Sequence, residues 1–343
     1  MQQIKLGVIG TGLAAEFLHW PALKQLQAQF RITAVCNRTV AKAIRFAKLV
    51  GCTNWYSDYR EMLAKEDLEA MFVCTPIFLN YRVSRDCILA GKHVLCEKPP
   101  GVNLDEAQKM VELAKTSDRV LMIGENYYYR EDLRRAKKIV EAGEIGEPFL
   151  IRIATLMKIS AEEMWTSRKW RIHPAHRGGI VSDAGVHHMA AFRLLAGEVD
   201  EVFAYELDVY PGVQDSDNLF LNLRFTNGVI GQYTACYSAI LKSPVPFRTE
   251  VYGDRGSVLI DDGVLELFLE GDKASEIIRL GDFDFGFTNQ WLDFYQAITN
   301  GIEVLGTPAR TYKDFELVLK GLESAHQRTP IQMNPTMQQG ATP

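Results

Sequence analysis

The stretch from Ile4 to Ala15, Ile-Lys-Leu-Gly-Val-Ile-Gly-Thr-Gly-Leu-Ala-Ala, constrains the fold more than any other part of the chain. It opens as a short apolar run rich in β-branched residues, the pattern of a strand buried on both faces. Gly10, Gly12 and Ala15 then fit G-x-G-x-x-A, and from Leu13 the apolar residues Phe17, Trp20, Pro21 and Leu23 fall near helical steps. Strand, glycine turn and helix in that order are the context this fingerprint needs. Gly10 permits the sharp turn, Gly12 leaves a pyrophosphate unobstructed, and Ala15 lets the helix lie close to the strand. The first N–H groups of the helix then face the phosphates. Gly10, Thr11, Gly12 and Leu13 are thus the expected phosphate-binding turn of a dinucleotide site. A glycine turn alone occurs in many α/β proteins; the flanking strand and helix favour the binding reading.

Five more short apolar runs follow: Ile32–Cys36, a weak one at Asn54–Tyr56, Ala70–Cys74, His93–Cys96 and Val120–Ile123. Helical patterns such as Ala41–Leu49, Val83–Leu89 and Leu104–Ala114 lie between them. Alternating strands and helices predict a parallel sheet covered on both faces. Right-handed crossovers and a nucleotide turn on the first strand favour the doubly wound strand order 3-2-1-4-5-6, with ligands collecting at the carboxyl ends. The residues at those ends are Asn37-Arg38-Thr39, Thr75-Pro76, Glu97-Lys98-Pro99 and Gly124-Glu125-Asn126.

After the second strand an NAD site usually presents a carboxylate to the ribose 2′-hydroxyl. This chain has Asn37 there, with Arg38 and Thr39. A carboxylate repels a 2′-phosphate, whereas a guanidinium pairs with it. The expected cofactor is therefore NADP in preference to NAD, against the plainer reading of Arg38 as a solvated loop residue. At Glu97-Lys98-Pro99-Pro100, two prolines stiffen a loop just past a strand. A lysine held there can serve the nicotinamide end of a cofactor, or can simply pair with Glu97 at the surface.

The second half is sheet-rich. Phe203, Tyr205, Leu207 and Val209 alternate with polar or small residues, as do Leu219, Leu221, Leu223 and Phe225. Asn227-Gly228 then announces a hairpin into Val229–Tyr237. Further turns at Gly253–Gly256 and Asp262-Gly263 extend the pattern, so an antiparallel sheet with one patterned face is expected. Helices are expected near Gln290–Thr299 and Tyr312–Gln327. Between the halves a helix starts near Ser182 and stops at Gly197. Asp183 and His187, four apart, share one face of it. An aspartate beside a histidine orients the ring and favours its charged form, as a proton-transferring histidine needs; alternatively Asp183 only favours the helix start. No metal is expected, because His188 points about 100° away from His187 on a helix.

At 343 residues, with a net charge of −5, the chain has room for about two domains and no basic excess to attract nucleic acid. No leader is expected before the first strand, and no apolar run approaches the ~18 residues that span a bilayer. The six cysteines show no C-x-x-C spacing, which suits free thiols in the cytoplasm better than disulfides or zinc. The polar end, residues 334–343, is expected to fray.

Taken together, these motifs resemble the glucose–fructose oxidoreductase/inositol dehydrogenase family (Gfo/Idh/MocA). The resemblance rests on Gly10-Thr-Gly12-Leu-Ala-Ala15, Thr75-Pro76, the run from Ala90 to Pro99 ending in Glu97-Lys98-Pro99, and Gly178-Gly179 followed by Asp183-x-Gly185-x-His187. It implies an α/β architecture: a Rossmann doubly wound parallel sheet over residues 1–125, then an α+β domain over 126–333 with a large, mostly antiparallel, open-faced sheet. That sheet's exposed side often makes a dimer, so a homodimer or homotetramer is expected. By the same resemblance Lys98 is the active-site lysine, and Asp183 with His187 the proton-handling pair. Asn126 lies near the nicotinamide, and Trp170 and Arg171 lie near the mouth of the site. Asn80 departs from the pattern, since many members carry histidine there.

The implied activity is hydride transfer between NADP or NAD and a sugar, polyol or related carbonyl compound bound between the domains. Two alternatives stay open: a non-catalytic NADP-binding sensor, and a reductase of a tetrapyrrole or an aromatic dihydrodiol. The second would use the aromatic residues Tyr127-Tyr128-Tyr129, Trp165 and Trp170, for which ordinary packing is the simpler reading.

Overall fold

The computed structural model describes residues 2–160, 162, 164–165, 172–212, 214–281 and 283–333. The chain divides into two compact units. The first comprises Met1–Arg130 and Asp284–Lys313; the second comprises Glu131–Phe283 and the chain from Asp314 on.

The first unit is built on a parallel sheet of β1 (Ile4–Ile9), β2 (Phe30–Cys36), β3 (Asn54–Tyr56), β4 (Ala70–Val73), β5 (His93–Glu97) and β6 (Leu121–Gly124), in the order 3-2-1-4-5-6. This is the order the sequence predicts. The central strand β4 is buried at every residue, which explains why it reads as an unbroken apolar run. The connecting helices are α1 (Trp20–Gln25), α2 (Val40–Val50), α3 (Tyr59–Lys65), α4 (Ile77–Leu89) and α5 (Leu104–Lys115). Helix α4 starts six residues before its expected Val83, straight after Pro76, whose fixed φ suits a helix entrance. The turn before α1, Ala14–His19, is wound as a π-helix, and the Trp20 N–H reaches back to the Ala15 carbonyl. Pro21 follows and has no N–H to offer the carbonyl four residues earlier, so a normal α-turn is broken there.

Residues 284–313 return the chain to this unit. They carry α8 (Phe287–Asn300), whose Trp291 is fully buried. Its indole meets Phe30 and Phe72 edge-on, with ring centroids 5.2 Å apart in both cases. Aromatic rings bury large areas and favour such tilted contacts.

The second unit contains a nine-stranded sheet. Its strands are β7 (Pro148–Leu156), β8 (Val199–Leu207), β9 (Asn218–Phe225), β10 (Ile230–Cys236), β11 (Val245–Gly253), β12 (Gly256–Asp261), β13 (Val264–Leu269), β14 (Glu276–Arg279) and β15 (Ile331–Gln332). The order is 14-13-12-11-7-10-9-8-15. The β7–β10 pair is parallel and the other ladders are antiparallel. The Asn227-Gly228 hairpin joins β9 to β10 as expected, with Arg224 opposite Ile230. Helices α6 (Glu131–Glu141) and α7 (Gly179–Ala196) belong to this unit. In α9 (Pro308–Gln327), residues from Asp314 on belong here too.

The alternation in β8 runs opposite to what residue size suggests. Tyr205 and Leu207 are exposed, while Val202 and Ala204 are buried. The Ala204 N–H donates to the Ser324 hydroxyl of α9 at 3.2 Å, and a Cβ on Gly321 would lie 2.5 Å from Leu221. Helix α9 thus lies close on the inner face, with Ala204 beneath Ser324 and with Gly321 leaving room for Leu221. No described helix is long and apolar enough to cross a membrane.

Candidate functional site

The glycine turn has the geometry its sequence predicts. Gly10 has φ of +94°, and a Cβ there would lie 1.9 Å from the Cys74 carbonyl oxygen, so a side chain is excluded on two counts. Gly12 differs. A Cβ there would meet nothing within 4 Å, so the protein's own packing does not require glycine. Beside it Thr11 is buried, and its hydroxyl has no hydrogen-bond partner among the described residues. Buried polar atoms are normally satisfied. Open space over one glycine and an orphaned hydroxyl next to it fit a phosphate-bearing ligand at this turn. The helix start beyond it has no side-chain cap at Leu13, leaving its first N–H groups to such a ligand.

Past β2, the Asn37 side-chain oxygen accepts the Thr39 N–H at 2.9 Å, an Asx turn that presents Arg38 outward. Arg38 and Thr39 are exposed.

The loop after β5 is the most tightly determined part of the site. Asn80 on α4 is fully buried. Its amide N–H groups donate to the Glu97 carbonyl at 2.9 Å and the Pro99 carbonyl at 3.1 Å. Its oxygen accepts from the Thr75 hydroxyl at 2.9 Å. One side chain therefore grips the backbone on both sides of half-buried Lys98. This gives the departure at Asn80 a physical role: the amide supplies two donors and an acceptor, more than a neutral imidazole offers.

Glu97 is held by His19 of the π-helical turn, whose Nε2 lies 2.5 Å from Oε1. His19 is fully buried, and its Nδ1 accepts the indole N–H of Trp291 at 3.2 Å. The next strand end adds Glu125. It is fully buried and accepts the Tyr127 N–H at 3.1 Å. Burial pushes its carboxyl up to about 8, against the lowering influence of nearby Lys98 and the Tyr127 N–H, with Glu97 adding to the rise. Asn126 is buried, and its side-chain amide donates to the Phe285 carbonyl at 2.9 Å.

Gly10, Thr11, Gly12, Leu13, Asn37, Arg38, Thr39, Thr75, Pro76, Glu97, Lys98 and Asn126 thus all lie on or just past the carboxyl ends of this parallel sheet. Glu125, also named among the strand-end residues, lies here too, and His19 and Trp291 are additions. A buried histidine on a helix carries no functional signal by itself, and Trp291 lies 272 residues from its partner.

Tyr128 and Tyr129 of the aromatic cluster are buried and make packing and hydrogen-bond contacts within this unit. Tyr129 donates to Asp293 at 2.6 Å and accepts the Gly306 N–H at 3.1 Å. Tyr128 lies under the Arg310 guanidinium, 4.2 Å from the ring centroid.

In the second unit, α7 carries buried Asp183 and half-buried His187 one turn apart. Its start is fixed by Gly178 and Gly179, both at positive φ. The Gly178 N–H donates to Asp215 at 2.6 Å. Gly185 has a packing reason as well: a Cβ there would lie 2.9 Å from Val318 of α9. His188 is turned to the core, with Nδ1 2.7 Å from the Tyr233 hydroxyl. No cluster of possible metal ligands occurs among the described residues. Trp170 and Arg171 lie outside the described residues.

Comparison with known proteins gives the family. Residues 4–125 match the model of the GFO/IDH/MocA oxidoreductase family, NAD-binding Rossmann fold. Residues 133–259 match the GFO/IDH/MocA C-terminal domain. The chain is 28% identical to myo-inositol 2-dehydrogenase of Thermotoga maritima over 92% of its own length and 93% of the relative's. The crystal structure of an oxidoreductase from the same organism superposes with a TM-score of 0.90 at 32% identity, covering 96% of this chain and 98% of that one. A levoglucosan dehydrogenase solved with NADH and levoglucosan shares the fold, with a TM-score of 0.87 at 22% identity over 97% and 99% of the two chains.

Proposed function

We infer the function from one premise: this chain belongs to the Gfo/Idh/MocA family of NAD-binding oxidoreductases. It is an NAD(P)-dependent dehydrogenase or reductase. We propose that it acts on the carbinol carbon of a sugar, polyol or related compound, or on the corresponding carbonyl. Relatives named for myo-inositol and levoglucosan support that substrate class. A bound nicotinamide supplies the hydride acceptor or donor. Gly10, Thr11, Gly12 and Leu13 hold its pyrophosphate, Asn37, Arg38 and Thr39 the adenosine side, and Thr75, Pro76, Glu97 and Asn126 the nicotinamide side.

The proton is the protein's task. On this reading His187, oriented by Asp183, takes the hydroxyl proton in oxidation and returns it in reduction. The Lys98 ammonium stabilises negative charge on the same oxygen. The observation that carries the proposal is the grip of Asn80 on both carbonyls flanking Lys98. A surface lysine needs no such fixing, whereas a group aimed at a reacting atom does. Trp170 and Arg171 are proposed as substrate contacts on the resemblance alone. The exposed face of the second sheet, with Phe149, Tyr205, Leu207 and Phe268, is proposed to pair two copies, a homodimer or two such pairs.

The test is a fluorescence titration with NADPH and NADH, followed by a screen of polyols, inositols and anhydrosugars with the tighter nucleotide. Turnover on one of them, lost in Lys98→Ala, supports the proposal. Tight nucleotide binding with no turnover across the panel favours a sensor and contradicts it.

A further inference from the structure

His19 has a fixed proton arrangement. An indole N–H only donates, so the contact from Trp291 makes His19 Nδ1 an acceptor. The ring proton is then on Nε2, which donates to Glu97 Oε1 at 2.5 Å. The ring cannot turn. It is fully buried, with its centroid 4.3 Å from that of Phe72 and 4.9 Å from that of Phe287. Glu97 meanwhile has its carbonyl fixed by Asn80 and lies at the carboxyl end of β5, opposite Gly124 of β6.

In a sheet of order 3-2-1-4-5-6 the glycine turn after β1 takes the pyrophosphate. The half of the dinucleotide beyond it crosses the ends of β4, β5 and β6. That half carries a ribose with two vicinal hydroxyls, which can donate to a fixed carboxylate, the pairing that NAD sites use at their other ribose.

We propose that His19, held on the indole N–H of Trp291, is a positioning residue that fixes Glu97 as the acceptor for the nicotinamide-side ribose. The residue from the returning segment, Trp291, thereby acts on cofactor binding through two hydrogen bonds in series. This inference rests on Glu97 being a cofactor contact, and the experiment separates the two.

ADP carries the adenosine side and the diphosphate but lacks the second ribose. Dissociation constants for ADP and for the tighter-binding of NADH and NADPH are measured in the full-length protein and in Glu97→Gln, His19→Ala, His19→Gln and Trp291→Phe. The expected result is about tenfold weaker reduced-nucleotide binding in Glu97→Gln and His19→Ala, the loss of one hydrogen bond to a charged group, with ADP affinity unchanged. His19→Gln, which keeps an N–H donor, recovers part of the loss. Trp291→Phe weakens binding about threefold, and ¹⁵N NMR shows that His19 leaves the Nε2–H tautomer seen in the unaltered protein. Unchanged binding in Glu97→Gln overturns the contact itself and the proposal with it. Weakened binding in Glu97→Gln beside unchanged binding in folded His19→Ala and Trp291→Phe overturns the positioning role alone. Equal losses for ADP and the reduced nucleotide reduce His19 to a folding residue and also overturn it.

Discussion

Lys98 sits on a loop whose two flanking carbonyls are gripped by one buried amide. His187 sits one helical turn from Asp183 on α7, whose start is set by two glycines and whose middle is set by a third. The first group is placed by hydrogen bonds from residues distant in sequence. The helix that carries the second is placed by close packing. Polar placement is sensitive to the loss of a donor or acceptor, because the partner left behind stays buried and unsatisfied. Packed placement is sensitive to added volume. The two proposed proton-handling groups therefore fail under different substitutions.

The largest effect sharpens what the two share. Lys98→Ala is expected to lose ~10²–10⁴ in hydride-transfer rate, the usual scale for a positioned acid–base or electrostatic group, with nucleotide affinity within about twofold of the unaltered protein. Stopped-flow absorbance at 340 nm and a binding titration read the two quantities. A near-normal rate on a confirmed substrate breaks the assignment.

Next in size is a pH effect confined to the Lys98 side. Glu125 is pushed up to about 8 by burial, above its ordinary 4.5. The folded state therefore favours the protonated carboxyl. That contribution is complete below about pH 4.5 and is lost as pH rises through 8, up to ~5 kcal/mol in all. Glu125→Gln keeps an oxygen for the Tyr127 N–H and removes the titration. Denaturant unfolding between pH 5 and 9 is expected to show a stability deficit of the unaltered protein relative to Glu125→Gln that grows with pH. Parallel curves contradict the buried carboxyl.

Two substitutions compare the modes of placement directly. Asn80→Ala strands two carbonyls and a hydroxyl and is expected to cost about 3 kcal/mol. Gly185→Ala drives a methyl to within 2.9 Å of Val318 and is expected to cost about 1–2 kcal/mol. Thermal unfolding measures both. If Asn80→Ala proves the milder, the loop is held by something other than the amide. The smallest expected effect concerns the exposed Arg38: Arg38→Ala weakens NADPH about tenfold and leaves NADH nearly unchanged. Equal affinities of the unaltered protein for the two nucleotides remove the reason for choosing NADP.

These differences in placement also govern what the sequence reveals. The parallel sheet is legible because each strand is a short apolar run closed by polar residues, and the Gly10–Ala15 turn is legible because its spacing is local. Asp183 and His187 are legible for the same reason, being four residues apart. Asn80, by contrast, stands out only as a departure, since the carbonyls it holds are 17 and 19 residues away. His19 and Trp291 give no local signal at all. Nor does the return of residues 284–313 to the first unit, which depends on aromatic packing of Trp291 with Phe30 and Phe72. The outward turn of Tyr205 and Leu207 is hidden because period-two patterning shows two faces without saying which is covered. Here the smaller residues of β8, Val202 and Ala204, are the ones on the covered face.

We propose that the Lys98 ammonium and the His187 imidazole serve one proton transfer. The most direct measurement is the hydride-transfer rate of Lys98→Ala, His187→Ala and the double variant on the same substrate. Groups that act as a unit are strongly non-additive, so the double variant is expected to be about as slow as the slower single one. Losses that multiply would show two independent contributions and contradict the claim.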